Sequence, residues 1–272
     1  MTTKSERVLG EELVRYSQRV YEKGWVANHD GNLSAKLRTG RFVVTPTSFS
    51  KNDVSEQSLL VVDSKGERVA GHTKPFSELA LHLAIYEARQ DVGAVVHAHP
   101  PYATAMACSG QGLDRPFIPE AVVSLGERIP LVPFSGDAVK ALADYLPYFD
   151  VLLLESHGVI AYGVDVEQAF LRLELVEHLA GITTHAKAWG GPRTLSAEVV
   201  ETLLAKRKSA GLGPEARGLE RPKAAAAPRA VDQPTRSTVP PRTNVPASLE
   251  EVGREELSRV IAEELAALVT SS

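Results

Sequence analysis

The spacing of apolar residues along the first 210 positions predicts a mixture of helices and short strands. Leu9, Leu13, Tyr16 and Val20 recur at helical spacing, and Gly24 is typical of the position just after a helix. Two pairs of short runs follow, each joined by a polar turn. They are NLSAKL with RFVVT and SLLVVD with ERVAG. The chain therefore opens with a predicted helix and two predicted hairpins.

Further along the chain, longer patterns predict buried strands and helices in alternation. Three continuous apolar runs predict strands: GAVVHAH, DVLLLE and GVIAYG. Four segments predict helices: SELALHLAIYEAR, which begins near Ser77, DAVKALADYL, DVEQAFLRLELVEHLAGITTHAKAW and SAEVVETLLAKRK. This mixture predicts one α/β domain over residues 1–210.

The composition changes near residue 210. Residues 211–247 are rich in Pro, Ala and Arg and include no aromatic side chain, so they cannot bury enough apolar surface to offset the entropy of ordering. We expect a disordered linker there. In residues 248–272, Ser248 and Glu251 form a capping-box pattern before an apolar stripe at helical spacing. The stripe consists of Leu257, Val260, Ile261, Leu265 and Leu268. A short amphipathic helix is therefore predicted at the end of the linker.

Charge and composition exclude several classes of protein. The formal net charge of −4 gives no broad basic surface for nucleic acid. Cys108 is the single cysteine, which rules out an internal disulfide. The opening residues are polar, unlike a signal peptide, and no apolar run reaches the roughly 18 residues of a membrane span. We expect a soluble cytoplasmic protein with neither a nucleic-acid nor a membrane partner.

Histidines at the ends of two predicted strands are candidate metal ligands. His97 and His99 follow the apolar run GAVV, and alternate residues of a strand share one face. Two half-exposed histidines at a strand end would explain this pair equally well. His157 follows VLLLE, at the exit of a second buried strand. Together the three residues predict a histidine site with an open coordination position, as a catalytic divalent metal requires.

Polar residues near predicted turns are candidates for proton transfer and for anion binding. Glu78 falls in the first turn of the helix SELALHLAIYEAR, where the helix dipole favours an ionised carboxylate. Gly31 and Asn32 lie in one turn, and Thr47 and Ser48 lie in another. Backbone N–H groups and hydroxyls in such turns can bind a phosphate. An ordinary helix start and ordinary turns account for these residues as well, so both interpretations stay open.

Six motifs, in order, resemble the class II aldolase/adducin head family. They are GNLSAKL, VTPTSFSK, KPFSELALHLAIYEAR, GAVVHAHPPYATAMA, ESHGVIAYG and AFLRLELVEHLAGI, and the resemblance covers residues 7–208. That family includes L-fuculose-phosphate and L-rhamnulose-phosphate aldolases, a ribulose-phosphate epimerase and a methylthioribulose-phosphate dehydratase. The resemblance implies an αβα sandwich around a central, mainly antiparallel sheet. It also implies a homotetramer with active sites between subunits.

The resemblance implies a role for each candidate residue. The family's zinc ligands match His97, His99 and His157, so Zn²⁺ or another divalent metal is the expected cofactor. Glu78 matches the acidic residue that is the catalytic acid/base in the aldolases. The positions that match the family's phosphate-binding residues are Gly31, Asn32, Thr47, Ser48 and Ser77.

The implied reaction is a metal-dependent cleavage of a (deoxy)ketose 1-phosphate such as L-fuculose 1-phosphate. The products are dihydroxyacetone phosphate and an aldehyde, which is lactaldehyde for a 6-deoxyketose. The metal would stabilise the enediolate, and Glu78 would move the proton. An epimerase or dehydratase on the same site is the alternative, because a shared fold does not select the reaction. A non-catalytic adducin-like scaffold fits less well, because all three histidines and Glu78 are present.

Several positions depart from the pattern of the family's aldolases. Phe76 replaces the first serine of a Ser-Ser-Glu motif, and Ser48 replaces a glycine. The segment IPEAVVSLGERIP lacks the tyrosine that protonates the leaving aldehyde in the fuculose-phosphate enzyme. Tyr102 and Glu120 are candidates for that role. These departures concern the substrate more than the metal or the fold.

The C-terminal pattern has a resemblance of its own. A Pro/Ala-rich linker followed by a short amphipathic helix resembles the encapsulation peptides of bacterial microcompartment cargo enzymes. Residues 248–272 would then dock on shell or cargo proteins by their apolar face, inside a microcompartment. Such compartments confine reactive aldehydes, which agrees with an aldolase. A frayed tail and a helix that folds back on its own domain are the alternatives.

Overall fold

Helices and strands alternate through residues 4–222, the part of the chain that the computed structural model describes. The helices are α1 (Glu6–Glu22), α2 (Leu79–Ala88), α3 (Pro101–Cys108), α4 (Pro119–Leu125), α5 (Ala138–Leu142), α6 (Val166–Ala186), α7 (Ala197–Ser209) and α8 (Gly213–Ala216). The strands are β1 (Asn32–Lys36), β2 (Phe42–Val44), β3 (Leu60–Val62), β4 (Arg68–Ala70), β5 (Ala94–Ala98), β6 (Leu131–Val132), β7 (Val151–Leu154) and β8 (Gly158–Gly163).

The strands form one sheet in the order β4-β3-β2-β1-β5-β8-β7-β6. Neighbouring strands are antiparallel, except that β6 and β7 run parallel. At the centre, His97 of β5 lies opposite Asn32 of β1 on one side and Ile160 of β8 on the other. The predicted α/β fold with a central, mainly antiparallel sheet is therefore confirmed.

Helices cover both faces of this sheet, because the central strands are apolar on both sides. Val96 of β5 belongs to the core that contains Phe170 of α6, whereas Val95 belongs to the core that contains Ile85 of α2. Side chains of a strand alternate between its faces, so His97 projects on the same face as Val95, toward α2. The layers thus place one candidate ligand on the side of the sheet that carries Glu78.

Within residues 1–210, three helices differ from the sequence prediction. α3 and α4 lie where no helix is predicted, and both begin at a proline, which suits the first turn of a helix. Their apolar residues lack a long period, so the pattern gave no signal. α2 begins at Leu79 and not near Ser77, which leaves Glu78 as the N-cap residue. The prediction that Glu78 lies in the first turn is therefore corrected.

The described fold extends past residue 210, into the range predicted as a linker. α8 lies there, with Gly213 and Pro214 buried, and the Arg217 guanidinium donates a hydrogen bond of 2.7 Å to the carbonyl oxygen of Pro147. The folded part therefore ends later than predicted. The remaining linker and the amphipathic helix of 248–272 lie outside the described residues and stay predictions.

No helix within residues 4–222 has both the length and the apolar character needed to cross a membrane.

Candidate metal centre

His97 is the most deeply buried candidate ligand, with 2% of its surface exposed near the end of β5. Its Nδ1 atom lies 2.8 Å from the carbonyl oxygen of Val159 on β8. A carbonyl oxygen only accepts, so Nδ1 carries the proton and donates it. The Nε2 atom of the neutral ring therefore keeps its lone pair, as a metal ligand must.

His99 lies just beyond the end of β5, and a backbone hydrogen bond holds it in place. Its N–H donates to the carbonyl oxygen of Trp25 at 2.8 Å. The Nε2 atoms of His99 and His97 are 3.2 Å apart, and the Nδ1 atom of His99 lies 3.5 Å from a carboxylate oxygen of Asp30. The structure thus brings the two histidines together, with Asp30 on the outer nitrogen of the second ring.

His157 lies in the tight turn between β7 and β8. Ser156 adopts a left-handed backbone with φ 57°. A Cβ added to Gly158 would lie 2.5 Å from the ring of His99, so only glycine leaves room for that ring. The Nε2 atoms of His157 and His97 are 3.0 Å apart. The turn therefore delivers the third histidine to the other two, as predicted.

The three histidines fit a divalent metal ion. One ring nitrogen from each lies within 4.8 Å of the others, and this is the one such group found within residues 4–222. The Nδ1 atoms of His97 and His99 face the Val159 carbonyl and the Asp30 carboxylate, so the Nε2 atoms of these two rings face each other with lone pairs and no proton to share. Their convergence is favourable around a cation. Nitrogen ligands suit zinc and other first-row metals alike.

Glu78 lies beside the histidines. Contacts with other side chains, and not hydrogen bonds to the backbone of α2, hold its carboxylate there. Its side chain makes no capping bond to α2. One carboxylate oxygen lies 2.6 Å from Nε2 of His157, and the other lies 3.4 Å from Nε2 of His97. The side-chain amide of Asn32 donates to that second oxygen at 2.7 Å. The carboxylate is thus within reach of any group bound at the histidines.

The electrostatics of the site favour an ionised carboxylate and a neutral inner imidazole. Burial acts against ionised Glu78, but its hydrogen bonds with His157 and with the Asn32 amide oppose burial and hold the pKa of Glu78 well below its usual range. Burial lowers the pKa of His97 to about 4, although the Glu78 charge opposes this. The hydrogen bond to Glu78 raises the pKa of His157, against the effect of burial.

Two of the predicted phosphate-binding residues border the metal centre directly. Gly31 has φ 72°, and a Cβ there would lie 3.0 Å from the carbonyl oxygen of His97, so the turn requires glycine to approach β5. Asn32 is buried, and its amide is engaged with Glu78. Its carbonyl oxygen Oδ1 is buried with no hydrogen-bond partner among the described residues, so it can accept a bond from a ligand.

The other predicted phosphate-binding residues lie on neighbouring turns. Ser48 is exposed and has the left-handed φ of 61°. Thr47 is held by its N–H, which donates to the carbonyl oxygen of Lys74 at 2.9 Å. Ser77 is exposed and immediately precedes Glu78. The phosphate roles of these residues stay predictions.

A cavity of about 120 Å³ opens beside Glu78 and His157. Its wall is mainly apolar and includes Leu81, Val132, Phe134, Leu142 and Leu154. The carboxylate of Glu155 lies at its edge and accepts the N–H of Phe134 at 2.8 Å. Among the described residues, no lysine or arginine lines this cavity. The space next to the site therefore suits a small uncharged group.

The two candidates for the aldehyde proton donor do not reach the centre within one chain. The Tyr102 hydroxyl lies 3.2 Å from Nε2 of His185, and Glu120 lies in the first turn of α4. Within residues 4–222, no hydrogen bond or ion pair connects either residue with Glu78 or the site histidines.

Sequence reasoning missed several contributors to the site. The Val159 carbonyl carries no sequence signal, because every residue has one. Phe134 lies in a loop without a motif. Asp30 had a weak signal, as an acidic residue directly before Gly31 in a turn already singled out. These groups orient or border the predicted residues and do not replace them.

Residues 11–184 match the family model described as Class II Aldolase and Adducin N-terminal domain. The matched range holds Glu78 and all three histidines. The chain belongs to this family. The predicted family and lyase class are confirmed at that level.

Relatives in the class II aldolase family carry more than one activity in their names. The chain is 30% identical over 206 residues to the 5-deoxy-D-ribulose 1-phosphate aldolase of Bacillus thuringiensis serovar kurstaki, covering 74% of this chain and 96% of that one. It is 34% identical over 186 residues to the 3-oxo-tetronate 4-phosphate decarboxylase of Escherichia coli K12, covering 65% of this chain and 86% of that one.

A solved structure with the same fold is named L-fuculose 1-phosphate aldolase. It superposes with a TM-score of 0.69 at 28% identity, over 76% of this chain and 98% of that one. The αβα arrangement of the class II aldolase family is thus present almost in full, and the relatives leave the substrate of this chain open.

Proposed function

We propose that this chain is a metal-dependent aldolase that cleaves a short deoxyketose 1-phosphate, such as L-fuculose 1-phosphate or 5-deoxyribulose 1-phosphate, to dihydroxyacetone phosphate and a small aldehyde. The observation that carries the proposal is the position of the Glu78 carboxylate, 2.6 Å from Nε2 of His157 and 3.4 Å from Nε2 of His97. An ionised acid–base group beside a histidine ligand set is the arrangement that proton transfer next to a polarised carbonyl requires.

His97, His99 and His157 would hold the metal, and we propose zinc because three imidazole nitrogens and an open position are typical of catalytic zinc. When bound, the ion would supply Lewis-acid chemistry for substrate oxygen atoms. The Val159 carbonyl and the Asp30 carboxylate orient the first two rings. These groups therefore fix the orientation of the metal-binding nitrogens before a metal ion binds.

Glu78 would hold and return the proton at the substrate carbon next to the carbonyl. Its low pKa keeps it ionised at neutral pH, which is the form that a general base requires. The Asn32 amide donates to one carboxylate oxygen, so the other oxygen faces His157 and the open side of the site. Asn32 thus positions the base, besides any contact it makes with phosphate.

The adjacent cavity supports a small apolar tail on the substrate. The aldehyde part of a deoxyketose ends in a methyl group, which an apolar wall of Leu81, Phe134 and Leu154 accepts without leaving polar groups unpaired.

The second candidate function is a decarboxylase of a 3-oxo acid phosphate, which the 34% identity to such an enzyme favours. A substrate carboxylate would face Glu155 in a cavity where no described lysine or arginine compensates it.

We also propose a homotetramer, as the family resemblance implies. Support comes from the isolation of Tyr102 and Glu120 from the site within one chain, since a proton donor to the aldehyde would then come from a neighbouring subunit.

For residues 248–272 we propose docking to microcompartment shell or cargo proteins, which rests on their sequence pattern. If these residues, fused to a fluorescent protein and expressed with shell proteins, give only diffuse fluorescence, docking is wrong.

The decisive experiment follows aldehyde release from L-fuculose, L-rhamnulose and 5-deoxyribulose 1-phosphates, and carbon dioxide release from 3-oxo-tetronate 4-phosphate. Wild type is compared with Glu78→Gln and His97→Ala, each with added Zn²⁺ and with EDTA. We expect metal-dependent aldehyde release that both substitutions abolish. Aldehyde release that survives EDTA and both substitutions contradicts the mechanism, and carbon dioxide release alone favours the decarboxylase.

A further inference from the structure

Lys51 is a buried lysine whose charge has no carboxylate partner among the residues that the structure describes. Only 1% of its surface is exposed. Its Nζ atom donates to the carbonyl oxygens of Phe49 at 2.8 Å and His29 at 3.3 Å. Within residues 4–222, no carboxylate forms an ion pair with it, and the nearest acidic influence is the charge of Asp30. The ammonium is therefore held by backbone carbonyls alone.

A buried ammonium without a counter-charge is unfavourable for the folded chain. Buried charges in proteins are usually paired, because removal from water costs several kcal/mol per ion. Burial accordingly lowers the pKa of Lys51 to about 8, and the Asp30 charge offsets only part of the effect. An apolar side chain of the same length would fill the space at lower cost. The lysine thus points to a role that needs its charge or its donors.

The two carbonyl groups belong to the two turns that carry predicted phosphate-binding residues. His29 lies two positions before Gly31, and Phe49 directly follows Ser48. Each turn also contains a left-handed residue that is not glycine, Asn28 with φ 50° and Ser48 with φ 61°. Such backbone conformations persist only where surrounding contacts hold them. The Lys51 ammonium supplies one of these contacts to both turns at once.

We propose that Lys51 is a positioning residue of the phosphate site: it ties the turn of residues 28–31 to the turn of residues 47–49 and places a buried positive charge beneath them that favours a dianionic phosphate. This inference rests on the proposed function, because it presumes that the two turns bind the phosphate of the substrate. The phosphate would provide the counter-charge that the described residues do not.

Binding of inorganic phosphate to the metal-free full-length protein tests the proposal without reference to turnover. The variants are Lys51→Met, which removes charge and donors, and Lys51→Arg, which keeps both. Lys65→Met is the matched control, because Lys65 is an exposed lysine in the turn between β3 and β4. We expect Lys51→Met to raise the Kd for phosphate by about tenfold or more. Lys51→Arg should recover most of the affinity, and the control should match wild type.

A kinetic arm separates positioning from general damage. For a ketose 1-phosphate with metal present, Lys51→Met should raise KM strongly and change kcat little. Turnover of the same ketose without its phosphate should fall much less in Lys51→Met than turnover of the ketose 1-phosphate, and Lys51→Arg should restore the difference between the two substrates. Circular dichroism and thermal unfolding check the fold, and Lys51→Gln replaces Lys51→Met if the latter does not fold.

The outcomes distinguish this inference from the proposed function. If Thr47→Val weakens phosphate binding while Lys51→Met binds like wild type, the Lys51 inference is overturned and the phosphate site stands. If Lys51→Met and Lys51→Arg lose affinity equally with an intact fold, the lysine acts by packing, which also overturns it. A wild-type protein that binds no phosphate overturns the phosphate site and the inference together, whereas the cleavage assay judges the aldolase proposal separately.

Discussion

Strands β5 and β7 run between two polar clusters of opposite character. Asp150, directly before β7, accepts from Arg89 at 2.8 Å and from Arg207 at 2.7 Å. At the other ends of these strands lie the site histidines, where Nε2 of His99 faces Nε2 of His97 at 3.2 Å. In the first cluster opposite charges meet, whereas in the second cluster the lone pairs of these two nitrogens meet. The first cluster is compensated within the chain, and the second is suited to a cation.

The Asp150 cluster has a structural consequence that the histidine cluster lacks. Arg207 belongs to α7, and its guanidinium also donates to the carbonyl oxygens of Val123, at 2.9 Å, and Ser124 at the end of α4. Arg172 of α6 lies 3.3 Å from the same Asp150 carboxylate. One carboxylate thus joins α6 and α7 to the sheet. A change there should alter stability, whereas a change at the histidine end should alter chemistry.

The largest expected effect is that of Glu78→Gln on turnover. The amide cannot accept the proton, so we expect kcat to fall by about 10²–10⁴-fold, the usual range for loss of a general acid/base. Zn²⁺ binding should be retained. Steady-state kinetics, with Glu87→Gln on the exposed face of α2 as the matched control, measures this. A variant that keeps wild-type kcat would remove Glu78 from the mechanism.

Asp150→Asn should have the largest effect on stability. It leaves several buried guanidinium groups without their carboxylate, and we expect a loss of about 3–5 kcal/mol in the free energy of unfolding. Metal affinity should not change. Chemical denaturation and zinc titration test the two halves of this prediction. An Asp150→Asn protein as stable as wild type would show that the cluster contributes nothing net.

We also expect the difference in stability between wild type and Asp150→Asn to depend on pH. Burial acts against ionised Asp150, but the charges of Arg172, Arg207 and Arg89 outweigh it and hold the pKa of Asp150 below its ordinary value of 3.8. The contribution of Asp150 is therefore fully present above that ordinary value and is lost as pH falls through the lower pKa of the folded state. The stability difference between wild type and Asp150→Asn should shrink in the same window. A constant difference down to the acid transition contradicts the assignment.

In the histidine cluster, His99→Ala should abolish the stabilisation of the folded protein by Zn²⁺. A ligand at one hundred times its Kd stabilises the native state by about 2.7 kcal/mol. Wild type should gain about this much from Zn²⁺ at that ratio, and the variant should gain nothing. Thermal unfolding with and without Zn²⁺ measures the gain, and His72→Ala, a histidine in an exposed turn, is the control. An equal gain in both proteins would place the metal elsewhere.

Asp30→Asn should have the smallest effect. Its carboxylate lies 3.5 Å from Nδ1 of His99 and is partly exposed. Loss of a group that orients a ligand reduces metal affinity by about 10–100-fold, and the exposure of Asp30 places the expectation near the lower end. Competition with a chelator of known affinity measures it. Unchanged affinity would mean that backbone contacts alone orient His99.

Several sequence predictions were close because their causes are local. The run GAVVHAH predicts a buried strand that ends in histidines, and β5 ends at Ala98, directly before His99. The position of Glu78 was predicted less accurately. Glu78 is the N-cap residue of α2 and not part of its first turn, and a shift of one residue at a helix start changes the direction of the side chain. α3 and α4 were missed, because short helices that begin at proline carry little periodicity.

Sequence patterns by themselves determined the α/β class, the order of most elements, the three histidines and Glu78, since these depend on local periodicity and on motifs in fixed order. Only the tertiary structure decided what these residues contact. Asn32 reaches Glu78 across 46 positions of the chain, Val159 orients His97 across 62 positions, and Asp150 gathers arginines from separate helices. Such contacts depend on strand register and helix packing, and neither is encoded in the spacing of residues along a single segment.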